Sequence, residues 1–325
     1  MNEILSLAAD NLISPIILSF VLGLAAAFAR SDLSVPEAVA KGLSIYLLFA
    51  IGFKGGAGVA AHGVDQTLVL SLIAGIILSF GLPIIAFLLL RVLTNFDTIN
   101  RAAVAAHYGS ISIVTFVAAT SVLDGRGIES EGYMVAVAAA MEAPAIISAL
   151  WLLSRTGGPG QADSALYREI LTNGSIVLLV GAFLIGGITG EKGLATISSF
   201  IVAPFQGVLC LFLLDMGLVA GRGLRESRGD LGLGAVAFGL IMPPVGAAIG
   251  LVFALVIGLS AGGAALMMVL SASASYIAVP AAMRVALPDA KPSIYLTLSL
   301  GVTFPFNLVI GIPIYVAVAT QIIGG

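Results

Sequence analysis

One carboxylate and two clusters of hydroxyls interrupt stretches of this sequence that are otherwise apolar. Glu142 stands in Met141-Glu142-Ala143-Pro144-Ala145, near the middle of an apolar run over 132–153. An ionisable side chain that far from water points to a cation or proton site. The alternatives are a structural partner, Arg101 or His107, or a carboxyl that stays protonated. Ser110, Ser112 and Thr115 lie in one run, followed by Thr120 and Ser121. Ser271, Ser273, Ser275 and Tyr276 lie in another, shortly before Pro280. Hydroxyls at this density can complete the hydrogen bonds of a small anion where an interrupted helix offers free N–H groups and its positive dipole end. Pro280 has no N–H to donate and predicts a kink or break in its run. A single serine more often bonds back to its own helix or lets helices pack closely. Two clusters at corresponding positions argue for a site.

Ten elements position these residues. Of 325 residues, 59% are hydrophobic and 10% charged, against about 25% charged in soluble domains. That excludes a cytosolic enzyme, a nucleic-acid binder and a secreted disulfide scaffold; Cys210 is the single cysteine. Runs long enough for a helix to cross a bilayer, roughly 20 residues each, cover 11–29, 38–53, 67–90, 102–122, 132–153, 171–189, 197–221, 231–258, 262–283 and 294–321. Barrel strands would be shorter and would alternate in polarity. The fold class is therefore an all-α membrane protein of ten transmembrane helices.

Among the 14 basic residues, only Lys54, Arg126 and Lys192 fall in loops after even-numbered spans; the other 11 follow odd-numbered ones. Lysine and arginine collect on the cytoplasmic side, so the odd loops face the cytoplasm and both termini lie outside. Glu3 and Asp10 before the first run argue for an uncleaved helix over a signal peptide.

The chain also repeats itself. Gly52, Gly56 and Gly58 match Gly217, Gly221 and Gly223. Ser110-Ile111-Ser112 matches Ser273-Ala274-Ser275, and Glu142-Ala143-Pro144 aligns with Phe304-Pro305-Phe306. The first repeat spans 1–153 and the second 171–325, joined by a Gly-rich cytoplasmic linker at 154–170. Because five is odd, the second copy enters the bilayer from the opposite side. Such a 5+5 inverted repeat is characteristic of secondary transporters, with the substrate site where broken helices of the halves meet. No HExxH, GxSxG or P-loop pattern supports intramembrane catalysis or ATP-driven transport. Asp215 is expected to pair with Arg222–Arg228, and Lys54 to reach the outer interface. The paired glycines read as close helix contacts.

Taken together, Ser14-Pro15, Val35-Pro36-Glu37-Ala38, Ile51-Gly52-Phe53-Lys54-Gly55-Gly56, Met141-Glu142-Ala143-Pro144-Ala145, Ser273-Ala274-Ser275, Pro280, Arg284, Pro288, Pro292-Ser293 and Tyr295 resemble the cyanobacterial-type sodium-dependent bicarbonate transporter family over nearly the whole chain. The resemblance implies core and gate domains, broken helices in the core, a homotrimer in a bacterial inner membrane, and sodium-coupled import of bicarbonate or a similar small anion. It implies substrate binding by Ser110, Ser112, Thr115, Ser273, Ser275 and Tyr276, and binding of a sodium ion by Glu142, Thr115 and Ser275. It implies no cofactor beyond that coupling ion and no nucleic acid; the partners are the anion and the bilayer. Two departures stand out. Tyr276 replaces an aspartate of the family, which leaves proton coupling and another small anion as an alternative, and a passive anion channel as another. The linker is also short, so the resemblance gives no support to a PII-like regulator.

Overall fold

A computed structural model describes residues 13–63, 65–155, 172, 174–226 and 231–323. Every regular element among them is helical. Eight spans are long and apolar enough to cross a membrane; Pro15–Phe28 and Ala261–Ala272 are shorter apolar helices. Most of the 154–170 linker and the first twelve residues lie outside the described residues.

The helices are α1 Pro15–Phe28, α2 Glu37–His62, α3 Gln66–Leu93, α4 Thr98–Gly109, α5 Ile113–Gly125, α6 Met134–Ala140, α7 Glu142–Arg155, α8 Gly174–Ile201, α9 Phe205–Glu226, α10 Leu233–Ile257, α11 Ala261–Ala272, α12 Ala278–Ala286 and α13 Pro292–Ile323. Several boundaries differ from the sequence reading: the run 102–122 is split into α4 and α5, and 132–153 into α6 and α7. Helix α2 continues to His62, because the glycines after Phe53 are packing contacts and do not end it. Helix α8 continues to Ile201 through a single non-helical residue, Gly190 at φ 59°, so the next span starts at Phe205. The span after Ala261 breaks before Pro280: α12 starts at Ala278 and Pro280 sits in its first turn, where a missing N–H costs nothing.

Prolines account for two other irregularities. Pro144 cannot bond to the Ala140 carbonyl, and the helix is interrupted at Met141 between α6 and α7. Pro305 lies between two π-helical turns of α13, Thr297–Thr303 and Asn307–Gly311. Such turns absorb a disrupted hydrogen-bond ladder and recur at functional sites.

Packing sorts the helices into two sets. Helix α1 lies along α9, and α2 along α8. Backbones there come very close: a β-carbon on Gly56 would collide with the Phe183 carbonyl oxygen, and one on Gly217 with that of Phe20. The second set contains α3 on α4, α4 on α7, α10 on α11, α11 on α13, and α10 on α3. Residues 102–119, covering most of α4 and α5 and the break between them, are all buried. Among the described residues, Gly63 and Asp65 and the loops 126–133, 202–204 and 258–260 share one face of the bundle, since common pockets draw on all of these stretches or their flanks.

Candidate functional site

Two interrupted helices meet at mid-bundle. Asp97 caps α4, accepting from the Asn100 N–H at 2.8 Å, and Ser260 caps α11, accepting from the Gly263 N–H at 3.1 Å. Both helices run for twelve residues and end in an extended serine: Ser110 at φ −88°, ψ 161° and Ser273 at φ −85°, ψ 163°. Thr98 and Ala261 are 163 residues apart, and so are Ser110 and Ser273, in keeping with the sequence repeat.

The two breaks bond to each other. The Ser112 N–H donates to Ser273 Oγ at 2.9 Å, and the Ser275 N–H donates to the His107 carbonyl at 2.7 Å. Backbone donors freed by each break are thus satisfied by the opposite half of the chain. Ser112 then caps α5: its Oγ accepts from the Thr115 N–H at 3.2 Å and from the Thr115 hydroxyl at 2.9 Å. Ser273 Oγ donates onward to the Leu270 carbonyl at 3.0 Å.

Glu142 starts α7 and is buried against this crossing. Its Oε2 accepts from the Ser110 hydroxyl at 2.6 Å. The partner is therefore neither Arg101 nor His107. Arg101 bonds the Asp97 carbonyl and Thr98 and lies over the Phe87 ring, while His107 bonds the Ala103 carbonyl and stacks on Tyr295. Asp215 makes no contact-distance ion pair with arginine among the described residues, though the charge of Arg222 acts on it; Arg228 lies outside the described residues. Arg222 and Arg225 donate instead to the carbonyls of Leu33 and Ala27.

A small pocket opens at the crossing, lined by Ser112, Glu142, Ser275 and Tyr276, by Ile111, Ile113 and Ile277, and by Leu48, Ile176 and Leu179 of the α2/α8 pair. Of the residues singled out from sequence, Ser112, Ser275, Tyr276 and Glu142 face it. Ser110, Ser273 and Thr115 stand one layer behind, each bonded to a lining residue. The Tyr276 hydroxyl is buried close to Ser112, with no hydrogen-bond partner of good geometry. The N-terminal ends of α5 and α12 both arrive here, giving positive dipole ends, and Glu142 is the one carboxylate lining the pocket.

Sequence reasoning missed Asn307. It donates to the Ala272 carbonyl at 2.8 Å and accepts from the Tyr315 hydroxyl at 3.2 Å, closing the end of α11 much as Glu142 closes the end of α4. An amide in an apolar run beside Pro305 was the available signal. Leu48, Ile176 and Leu179 carried none, being ordinary apolar residues of their spans.

These features define a multi-pass helical membrane protein whose polar pocket is built from interrupted helices. The chain belongs to the Na+-dependent bicarbonate transporter superfamily, whose sequence pattern it matches over residues 15–320. No curated protein matches it.

Proposed function

We propose that this protein imports bicarbonate, or a similar small anion, with sodium by alternating access. The carrying observation is a pocket that holds one carboxylate between two helix N-termini. The N–H groups there favour an anion. An anion about 4 Å from an ionised Glu142 would meet a repulsion of about 4 kcal/mol at an effective dielectric near 20. A cation beside Glu142 removes that penalty, so each ion raises the affinity for the other. Coupling then follows from the placement of charge.

The same reading takes the chain as ten spans in a 5+5 inverted repeat. Exchanging the halves turns the α1·α9 contact into α8·α2, α3·α4 into α10·α11, and α4·α7 into α11·α13, and those are the pairs that pack. The first set of helices would be the gate and the second the core. The pocket draws on both, as a site exposed alternately by their relative motion must. The distribution of basic residues puts the 126–133 loop outside and the start of α2 in the cytoplasm.

A proton-coupled transporter of another small anion is the second reading. It is favoured by Tyr276, which leaves Glu142 as the pocket's sole carboxylate. Flux of labelled bicarbonate into vesicles containing the purified protein separates these. Uptake accelerated by an inward sodium gradient supports the proposal, and uptake driven only by an inward proton gradient supports the second reading. Flux that ignores both gradients would mean a channel.

A further inference from the structure

An ion pair between described residues bridges α2 of the first helix set and α5, which packs against α11 of the second. Lys54 Nζ on α2 lies 3.4 Å from Asp124 Oδ2 at the end of α5. The ammonium also lies 5.8 Å from the centre of the Phe205 ring at the start of α9. Lys54, expected to reach the outer interface, makes this pair with a partly exposed side chain on the 126–133 face. A second bond spans the same divide at the same level: Gln206 Nε2 on α9 donates to Ser121 Oγ on α5 at 2.7 Å.

Openings on the two sides differ. On the face carrying the 126–133 loop, a pocket lined by Lys54, Thr120 and Asp124 ends at Ile51 and Phe116. These lie about one helical turn beyond Leu48 and Ile113 of the central pocket. The central pocket shares no lining residue with it. Toward the start of α2, a wide pocket lined by Glu37, Lys41, Ser44 and Phe212 shares both Leu48 and Ile277 with the central one. The central pocket thus borders the wide one through Leu48 and Ile277 and is set about one helical turn from the pocket on the 126–133 face.

We infer that Lys54–Asp124 and Gln206–Ser121 together form the latch that holds the path closed on the 126–133 face. This rests on the alternating-access reading given above. Exposed ion pairs contribute little, which suits a latch: it must bias the equilibrium between two conformers without locking it.

Full-length protein carrying Cys210→Ser, in vesicles of defined orientation, receives either Thr120→Cys at the mouth of the pocket on the 126–133 face or Leu48→Cys in the central one. A membrane-impermeant maleimide is presented only to the 126–133 face, with no substrate anion and no sodium. Lys54→Gln, and separately Gln206→Ala, should speed labelling of both cysteines about two- to fivefold. The charge exchange Lys54→Asp with Asp124→Lys should return both rates to their original values. Unchanged rates overturn the latch, as does faster labelling at Thr120→Cys alone, which would mean local loosening, or an exchange that restores nothing. Should Lys54→Gln fail to accumulate as a monodisperse protein, Gln206→Ala and the exchange decide the matter. Because the assay contains no substrate, a failed bicarbonate flux experiment leaves its outcome untouched.

Discussion

The hydroxyl of Ser110 points at Glu142 across 2.6 Å, joining the end of one half-helix to the start of another 32 residues later. The bond fixes the carboxylate's orientation and leaves its second oxygen for the pocket. Glu142→Gln keeps an acceptor for Ser110 and removes the charge. Folding should survive, and the cation dependence of uptake should disappear. Identical sodium and proton dependence in the variant would reduce Glu142 to a structural role; paired flux measurements with and without each gradient decide it.

Ser273 and Ser275 look alike in sequence and should behave differently. Ser273 Oγ satisfies the buried Ser112 N–H, so Ser273→Ala strands a donor and should cost about 1–3 kcal/mol. Ser275 holds the crossing through its backbone N–H, and its hydroxyl accepts only a long bond of 3.4 Å from Val279. Ser275→Ala should melt near the parent temperature in detergent and show a raised KM for the anion. A parallel loss of folded protein and uptake in both variants would make both serines structural.

Tyr276→Phe tests the unpartnered hydroxyl. Removing a buried, unsatisfied O–H leaves thermal stability equal or slightly higher, while apparent substrate affinity should fall if that hydroxyl binds the anion. An unchanged KM would leave the ring as a wall of the pocket and nothing more.

The glycine contacts predict a contrast within one residue type. Gly56→Ala forces its new methyl group against the Phe183 carbonyl and should destabilise by about 1–3 kcal/mol or more. At Gly207 a β-carbon meets open space, and Gly207→Ala in the exposed part of α9 should be neutral or stabilising by up to about 1 kcal/mol. Melting curves of the two variants, side by side, check the assignment.

Much of the architecture was legible because bilayer spans need long apolar runs and close helix pairs need small residues. Gly52 and Gly56 therefore announced the α2/α8 contact, though not its partner. The hydroxyl clusters and Glu142 were visible as polar exceptions. The break at Ser110–Ser112 was hidden, since no proline or glycine lies between those serines and the extended backbone is secured by Ser273, 161 residues from Ser112. Pro280 suggested a break but only follows one. Lys54 and Asp124 are 70 residues apart, and no local pattern links a lysine to an acid that tertiary packing brings beside it.

The two breaks are not identical. Three residues separate α4 from α5, whereas five, Ser273 to Ile277, separate α11 from α12. In a perfectly duplicated chain, the conformer open to one face would be the image of the conformer open to the other, and the two would be equal in free energy. The surplus residues lift that degeneracy. Under the alternating-access reading proposed above, the protein would then have a preferred resting side before any gradient is applied, and an imposed gradient would work against that offset in one half of the cycle and with it in the other.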